Sequence, residues 1–259
     1  MRQSWTFTDL EFFTLWEAQR QELLPLPFTF TSRVLGFEEF AEAKYHTWER
    51  MARTLDPDLR SLVAGAVQPD IRVVVDAWNQ ADLDKPEGIV RLLATRHGDR
   101  GCVINQVPGE TYWYSGGFTV TQCSAIELAD AVTAAIPDLP AGSMADVVLA
   151  TKIDDDMDYS YGQSSVHDSF HDSVAERSDS FLQAPTDRVG YIEIQQARSI
   201  FGPRGLTKHR LELRDLAGDG RYIVDDQTPP VARGVDRRQL RDLMNTRIAA
   251  VVRSIKDEG

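Results

Sequence analysis

An α+β fold of two pseudo-twofold-related halves, each a largely antiparallel half-sheet plus a helix, is what this 259-residue chain predicts. The observation behind it is a repeat. A strand, a hairpin turning on Gly-Asp and a helix rich in small and aliphatic residues occur twice in that order. The first copy begins at Asp70-Ile71-Arg72-Val73-Val74-Val75, turns at His97-Gly98-Asp99-Arg100 and ends in a helix over Thr121 to Ile136. The second begins at Asp187-Arg188-Val189-Gly190-Tyr191-Ile192-Glu193-Ile194, turns at Ala217-Gly218-Asp219-Gly220 and ends in a helix over Asp236 to Ile255. Asp99 and Asp219 are 120 positions apart and the helix starts 115 apart, so the loops have changed length while the order of elements has held. Two copies are too few for a solenoid, which stacks at least three units. The two half-sheets are therefore expected to join into one central sheet within a single domain over 1–259. Half one spans 1–150, an acidic Ser/Asp linker and helix 151–185, and half two 186–259.

The elements follow in order. Thr6 or Thr8 caps a helix over Leu10 to Gln19, whose Leu10, Phe13, Leu15 and Trp16 form one stripe at helical spacing. Pro25 and Pro27 forbid helix, and Phe28-Thr29-Phe30-Thr31 alternates as a strand. A long helix over Glu38 to Leu55 turns Phe40, Ala43, Trp48, Met51 and Leu55 inward, and a shorter one over Asp58 to Val67 stops at Pro69. Irregular loops follow the first strand of each copy, Asn79 to Glu87 and Ala197 to Gly205, where a binding surface is expected. Residues 151–185 hold 8 acidic and 2 basic residues among many serines, a linker with a helix over His167 to Gln183.

The chain carries 40 acidic and 28 basic residues, net −12, a balance that repels phosphate backbones; no Lys/Arg stripe with interleaved aromatics counters it, so nucleic acid is excluded as a partner. Residues 187–259 alone hold 14 Lys and Arg against 11 Asp and Glu, so the acidic excess belongs to the rest of the chain. Apolar runs such as Val147-Val148-Leu149-Ala150 fall far short of the ~18 residues of a membrane span, and acidic residues occupy the stretch where a signal peptide is apolar. Cys102 and Cys123 form neither a CxxC pair nor a disulfide framework, and read as small buried hydrophobes of a cytoplasmic protein.

Catalytic constellations are scarce. His167 and His171 have the i, i+4 spacing of a zinc hydrolase, but the residue that needs the reach of Glu is Asp168, and a third ligand is missing. A solvated linker helix is the plainer reading, and a zinc-dependent hydrolase the alternative. Asp154, Asp155, Asp156 and Asp158 lack the central Gly and terminal Glu of a calcium loop. Gly202-Pro203-Arg204-Gly205 lacks the Gly-Lys-Ser/Thr end of a phosphate loop. Tyr112-Trp113-Tyr114 is equally a packed strand or a contact surface. Nucleophile, base and oxyanion donors nowhere combine.

With the repeat goes a resemblance. Residues 187–255, through Arg188-Val189-Gly190-Tyr191-Ile192-Glu193-Ile194, the Gly218-Asp219 hairpin and the final helix, resemble the C-terminal half of the EspG family, chaperones of actinobacterial type VII (ESX) secretion. Leu10-Glu11-Phe12-Phe13-Thr14-Leu15-Trp16-Glu17-Ala18 with Leu24-Pro25-Leu26-Pro27 is similar to the family's opening helix and proline-bounded strand. The resemblance implies a cytosolic, non-enzymatic protein without a cofactor. Its implied partner is the helical tip of the PPE subunit in a PE–PPE heterodimer, which it keeps soluble and marks for export. Covering such a tip would bury on the order of 1,500 Å². Carried onto this sequence, the family's partner contacts fall on Trp78 and Asp82, on Gln196 and Phe201, on Lys208 and Arg210, and on Thr228. Along Leu206 to Arg214, Lys208, Arg210, Glu212 and Arg214 share the polar face. A sheet scaffold with another protein partner is a further alternative, and an uncovered sheet face is expected to pair weakly with a second copy.

Overall fold

The computed structural model describes residues 3–83, 85–149 and 169–259. Ten strands form one antiparallel sheet, ordered β1-β5-β4-β3-β2-β7-β8-β9-β10-β6. In chain order these are β1 (Ser4–Phe7), β2 (Ile71–Trp78), β3 (Val90–His97), β4 (Arg100–Pro108), β5 (Ser115–Ser124), β6 (Val147–Val148), β7 (Thr186–Gln196), β8 (Lys208–Leu216), β9 (Arg221–Val224) and β10 (Val231–Gly234). The helices are α1 (Asp9–Glu17), α2 (Phe37–Thr54), α3 (Pro57–Val67), α4 (Leu128–Ala135), α5 (Ser169–Gln183) and α6 (Arg237–Asp257). The order reads the same from either edge: β5-β4-β3-β2 meets β7-β8-β9-β10 at the centre, and the short strands β1 and β6 take the two outer edges.

The duplication is visible in the backbone. Gly98 and Gly218, the glycines of the two Gly-Asp turns, both have positive φ (61° and 73°), the left-handed conformation that a side chain resists. The halves meet where β2 pairs with β7 from Ile71↔Gln196 to Trp78↔Val189. Gly190 is required there, because a Cβ on it would lie 2.2 Å from the Asp76 carbonyl oxygen.

Period-2 alternation builds a core on each face of the sheet. Ile71, Val73 and Val75 of β2, Ile192 and Ile194 of β7, and Leu211 and Leu213 of β8 pack under α4 and α6. On the other face Val74, Leu93, Ile104, Phe118 and Val120 pack under α1 and α3, with Phe12 stacked on Phe118 at 4.1 Å. At the far end of that face, Phe181 of α5 sits on Tyr222 with Leu216, Val224 and Ala232. Thr8, one of the two caps the sequence offers for α1, makes a capping box with Glu11; Asp56 caps α3, and Asp236 and Gln239 make a second box on α6.

Three expectations need correction. Phe28 to Thr31 is not a strand. The edge beside β5 is taken by β1, which nothing in the sequence announced, and residues 28–31 lie across the sheet face instead. There Gln106 accepts from the Thr29 backbone N–H at 3.1 Å and donates to the Thr29 carbonyl at 2.7 Å, so one side chain replaces a ladder. The helix over Thr121 to Ile136 begins only at Leu128. Thr121 to Ser124 belong to β5, where pairing with β4 overrides the small-residue pattern. The inward face of α2 is sparser than its pattern implies: Thr47 and Met51 are buried, whereas Ala43, Trp48 and Phe40 are only partly so, because α2 leans on α1 rather than on the sheet. Asp154–Asp158 and His167 lie outside the described residues, as does the side chain of His171, and with them the zinc reading.

Candidate binding face on the central strands

The helices of the two halves do not meet over the middle of the sheet. Between α3 and α5 no helix or loop among the described residues covers the face opposite α4 and α6, and its floor is β2, β7 and β8. Alternation sends Arg72, Asp76 and Trp78 of β2 to this face, with Val189, Tyr191, Glu193 and Gln195 of β7 and Lys208, Arg210, Glu212 and Arg214 of β8. Trp78, Val189, Tyr191, Arg210, Glu212 and Arg214 line a shallow cleft of about 290 Å³.

Its charges are arranged in tiers. Lys208 pairs with Glu193 at 2.6 Å and Arg214 with Glu212 at 2.7 Å, so both cations are held by neighbours within the face. Arg210 is looser: it lies 3.8 Å from Glu193, is 57% exposed, and rests its guanidinium 4.0 Å over the Tyr191 ring. Beneath, the Tyr191 hydroxyl donates to Asp76. Burial lifts the Asp76 carboxyl to about 6 despite the nearby Arg91 cation, and its Oδ1 has no hydrogen-bond partner. Burial, with the Asp76 charge, in turn raises the Tyr191 phenol. The face joins aromatic surface, fixed cations and a half-buried carboxylate. That suits recognition of another protein's polar and apolar groups. No group of three His, Cys, Asp or Glu side chains among the described residues is placed to hold a metal ion.

The seven residues carried over from the resemblance are spread over the sheet rather than gathered in one place. Trp78 and Asp82 sit at one end of the β2–β7 pair. Gln196 and Phe201 sit at the other, seven residues or about 24 Å away at ~3.4 Å per residue. Because β2 and β7 are antiparallel, loops that are equivalent by symmetry emerge from opposite ends of the sheet. Lys208 lies beside Gln195 at the Gln196 end, Arg210 beside Glu193 in the middle, and Thr228 is exposed in the β9–β10 loop. Phe201 is 72% exposed. Gln196 is 2% exposed and bonded internally: it donates to Glu258 Oε1 at 3.0 Å and accepts from the Thr207 N–H at 3.4 Å. Tyr191, Glu193 and Asp76 were missed as members of the face. The signal was available: β7 alternates Val189, Tyr191, Glu193, Gln195 against Gly190, Ile192, Ile194, and Asp76 interrupts a run of valines.

The EspG family's sequence profile matches residues 8–243, nine-tenths of the chain. This chain belongs to the EspG family. Among solved structures, a similar one is the Mycobacterium tuberculosis type VII secretion system chaperone EspG5, in complex with a PE25–PPE41 dimer. It matches at a TM-score of 0.60 over 96% of each chain, with 11% sequence identity. At that identity the EspG likeness is one of fold. A search of curated proteins finds no sequence match. No helix among the described residues is long and apolar enough to cross a membrane.

Proposed function

We propose that this EspG-family chain is a type VII secretion chaperone that holds the helical tip of the PPE subunit of a PE–PPE dimer. It keeps that dimer soluble in the cytoplasm for export and performs no reaction itself. Family membership supports the reading, and the observation that carries it is the strip on β2, β7 and β8 that the described residues leave uncovered. Two helical blocks flank that strip, and a helical tip laid between them would complete the layer. Trp78, Asp82, Lys208, Arg210, Phe201 and Thr228 are its proposed contacts. Gln196 acts from beneath by fixing the loop that carries Phe201. The weak self-pairing expected of an uncovered sheet face would compete for the same strip.

The test is co-expression with each PE–PPE pair encoded in the same genome. One pair should co-elute with this chain as a stable ternary complex on size exclusion. If every pair elutes without it, the reading falls.

A further inference from the structure

The axis relating the halves passes between the Val74–Glu193 and Asp76–Tyr191 ladder pairs. It therefore exchanges Asp76 with Glu193 and, one strand out, Arg91 with Arg210. Each arginine faces its carboxylate across a ladder, Asp76↔Arg91 on β2–β3 and Glu193↔Arg210 on β7–β8. Each guanidinium lies on a tyrosine ring, Arg91 on Tyr112 at 4.1 Å and Arg210 on Tyr191 at 4.0 Å. The arginine–carboxylate pairs are two copies of one arrangement; the rings are not, since Tyr191 stands on β7, where the axis sets it opposite Val74, and Tyr112 comes from the β4–β5 turn.

They differ in what lies on top. Arg91 is 2% exposed, covered by the chain's own residues. Its Nη1 donates to the Thr29 hydroxyl at 2.5 Å and to the Tyr112 carbonyl at 2.9 Å. The cover is the irregular segment through Thr29 together with the β4–β5 turn, so the acceptors are a hydroxyl and a main-chain carbonyl from non-ladder backbone. Over Arg210 no such segment lies among the described residues. Its guanidinium is held flat and open, and the nearest carboxylate, Glu193, is closed on Lys208.

We infer that Arg210 is the specificity-determining donor of the binding face, and that its ligand is a main-chain carbonyl with a neighbouring Ser or Thr hydroxyl at a partner's helical tip. The sealed half is the template for the open one. A helical tip supplies the right chemistry, because the last carbonyls of a helix have no partner within it and favour a cation. Arginine suits this better than lysine, since a planar fork resting on an aromatic ring addresses two oxygens at once. The inference rests on the proposed function for the identity of the partner.

The test uses the full chain and a PE–PPE pair that co-purifies with it, with affinity measured by calorimetry. Arg210→Ala should weaken binding about 10- to 100-fold and Arg210→Lys nearly as much. Arg53→Ala, on exposed α2, should leave it unchanged. Changing the acidic residues of the partner's tip to amides one at a time should leave affinity within about twofold, while Ser/Thr→Ala at the tip should weaken it. Arg210→Ala should leave the thermal midpoint unmoved, so a loss of binding is not a loss of fold. Binding of Arg210→Ala within twofold of the original overturns the inference. So does a single acidic residue at the tip whose neutralisation removes the dependence on Arg210, since the ligand is then a carboxylate. If no PE–PPE pair binds the unaltered chain, the proposed function fails first and takes this inference with it.

Discussion

Arg188 and Asp215 face each other across the β7–β8 ladder, both buried, with Arg188 Nη1 donating to Asp215 Oδ2 at 2.7 Å. The pair is a junction between the halves. Arg188 also donates through Nε to the Gly88 carbonyl at 3.0 Å and through Nη2 to the Glu87 carbonyl at 2.7 Å, both on the loop that enters β3. Arg221 of β9 closes the other side of the same carboxylate, donating to Oδ1 at 2.7 Å and Oδ2 at 3.0 Å. One carboxylate thus bridges two buried guanidinium groups.

Removing it should be costly. Asp215→Ala leaves two cations buried with no counter-charge, and a loss of about 3–5 kcal/mol is expected. Urea denaturation gives the number. A loss below about 1 kcal/mol would mean that water already solvates this junction.

The Asp76 carboxyl sets a pH dependence of known sign. Its value in the fold is about 6 against an ordinary 3.8, so the folded state holds the proton more tightly than the unfolded chain. Its contribution to stability is therefore full below pH ~4 and lost as pH rises through ~6. Asp76→Asn removes the ionisation and keeps an oxygen that accepts from Tyr191. At pH 7.5 the variant should be more stable than the original by about 1–3 kcal/mol, and the difference should shrink towards pH 4.5. Paired denaturation curves at the two pH values check this; an equal difference at both would place the carboxylate in a wetter setting.

Glu258 pins a loop. Its Oε1 accepts from Gln196 and its Oε2 from the Ile200 N–H, each at 3.0 Å, and these bonds hold its carboxyl below the usual range. The loop it anchors displays Ile200 and Phe201, each 72% exposed. Glu258→Ala should speed amide hydrogen exchange at residues 199–202 about tenfold or more while leaving the β-ladder amides protected. Unchanged exchange would mean that Thr207 and Ser254, whose hydroxyls lie 2.6 Å apart, hold the loop without it.

Trp78 and Phe201 test the extent of the binding face. They lie at opposite ends of the β2–β7 ladder, which is about 24 Å long at ~3.4 Å per residue, so their effects on partner affinity should add to within about 0.5 kcal/mol. Trp78→Ala, on the cleft wall, is expected to weaken binding about tenfold or more. Phe201→Ala should weaken it only if the partner spans both ends of the sheet. Calorimetry on the two single variants and the double variant separates these outcomes. An unaffected Trp78→Ala would remove the cleft from the interface.

Much of the fold could be read from residues alone. Alternation located β2, β7 and β8, the two Gly-Asp turns located the hairpins, and Thr8, Asp58 and Asp236 marked helix starts that the structure places within a residue. Short strands escaped. β1, β6 and β10 have two to four residues each and exist because a neighbouring edge offers a ladder, which no local periodicity reports. The Phe28–Thr31 segment shows the converse: it alternates like a strand, yet the side chains of Gln106 and Arg91 hold it where a ladder was expected.

The sequence by itself determined that the chain is duplicated, which faces of its long strands are apolar, and that Lys208, Arg210, Glu212 and Arg214 share one polar side. Those follow from period-2 and period-3.6 geometry within each segment. Only the tertiary structure decided that symmetry-related loops leave the sheet at opposite ends, that Gln196 is spent internally, and that one of two equivalent arginines is sealed while the other lies open. These depend on the antiparallel meeting of β2 with β7, on the reach of Glu258 to Gln196 and on which segment covers which strand, relations between residues 62 to 125 positions apart.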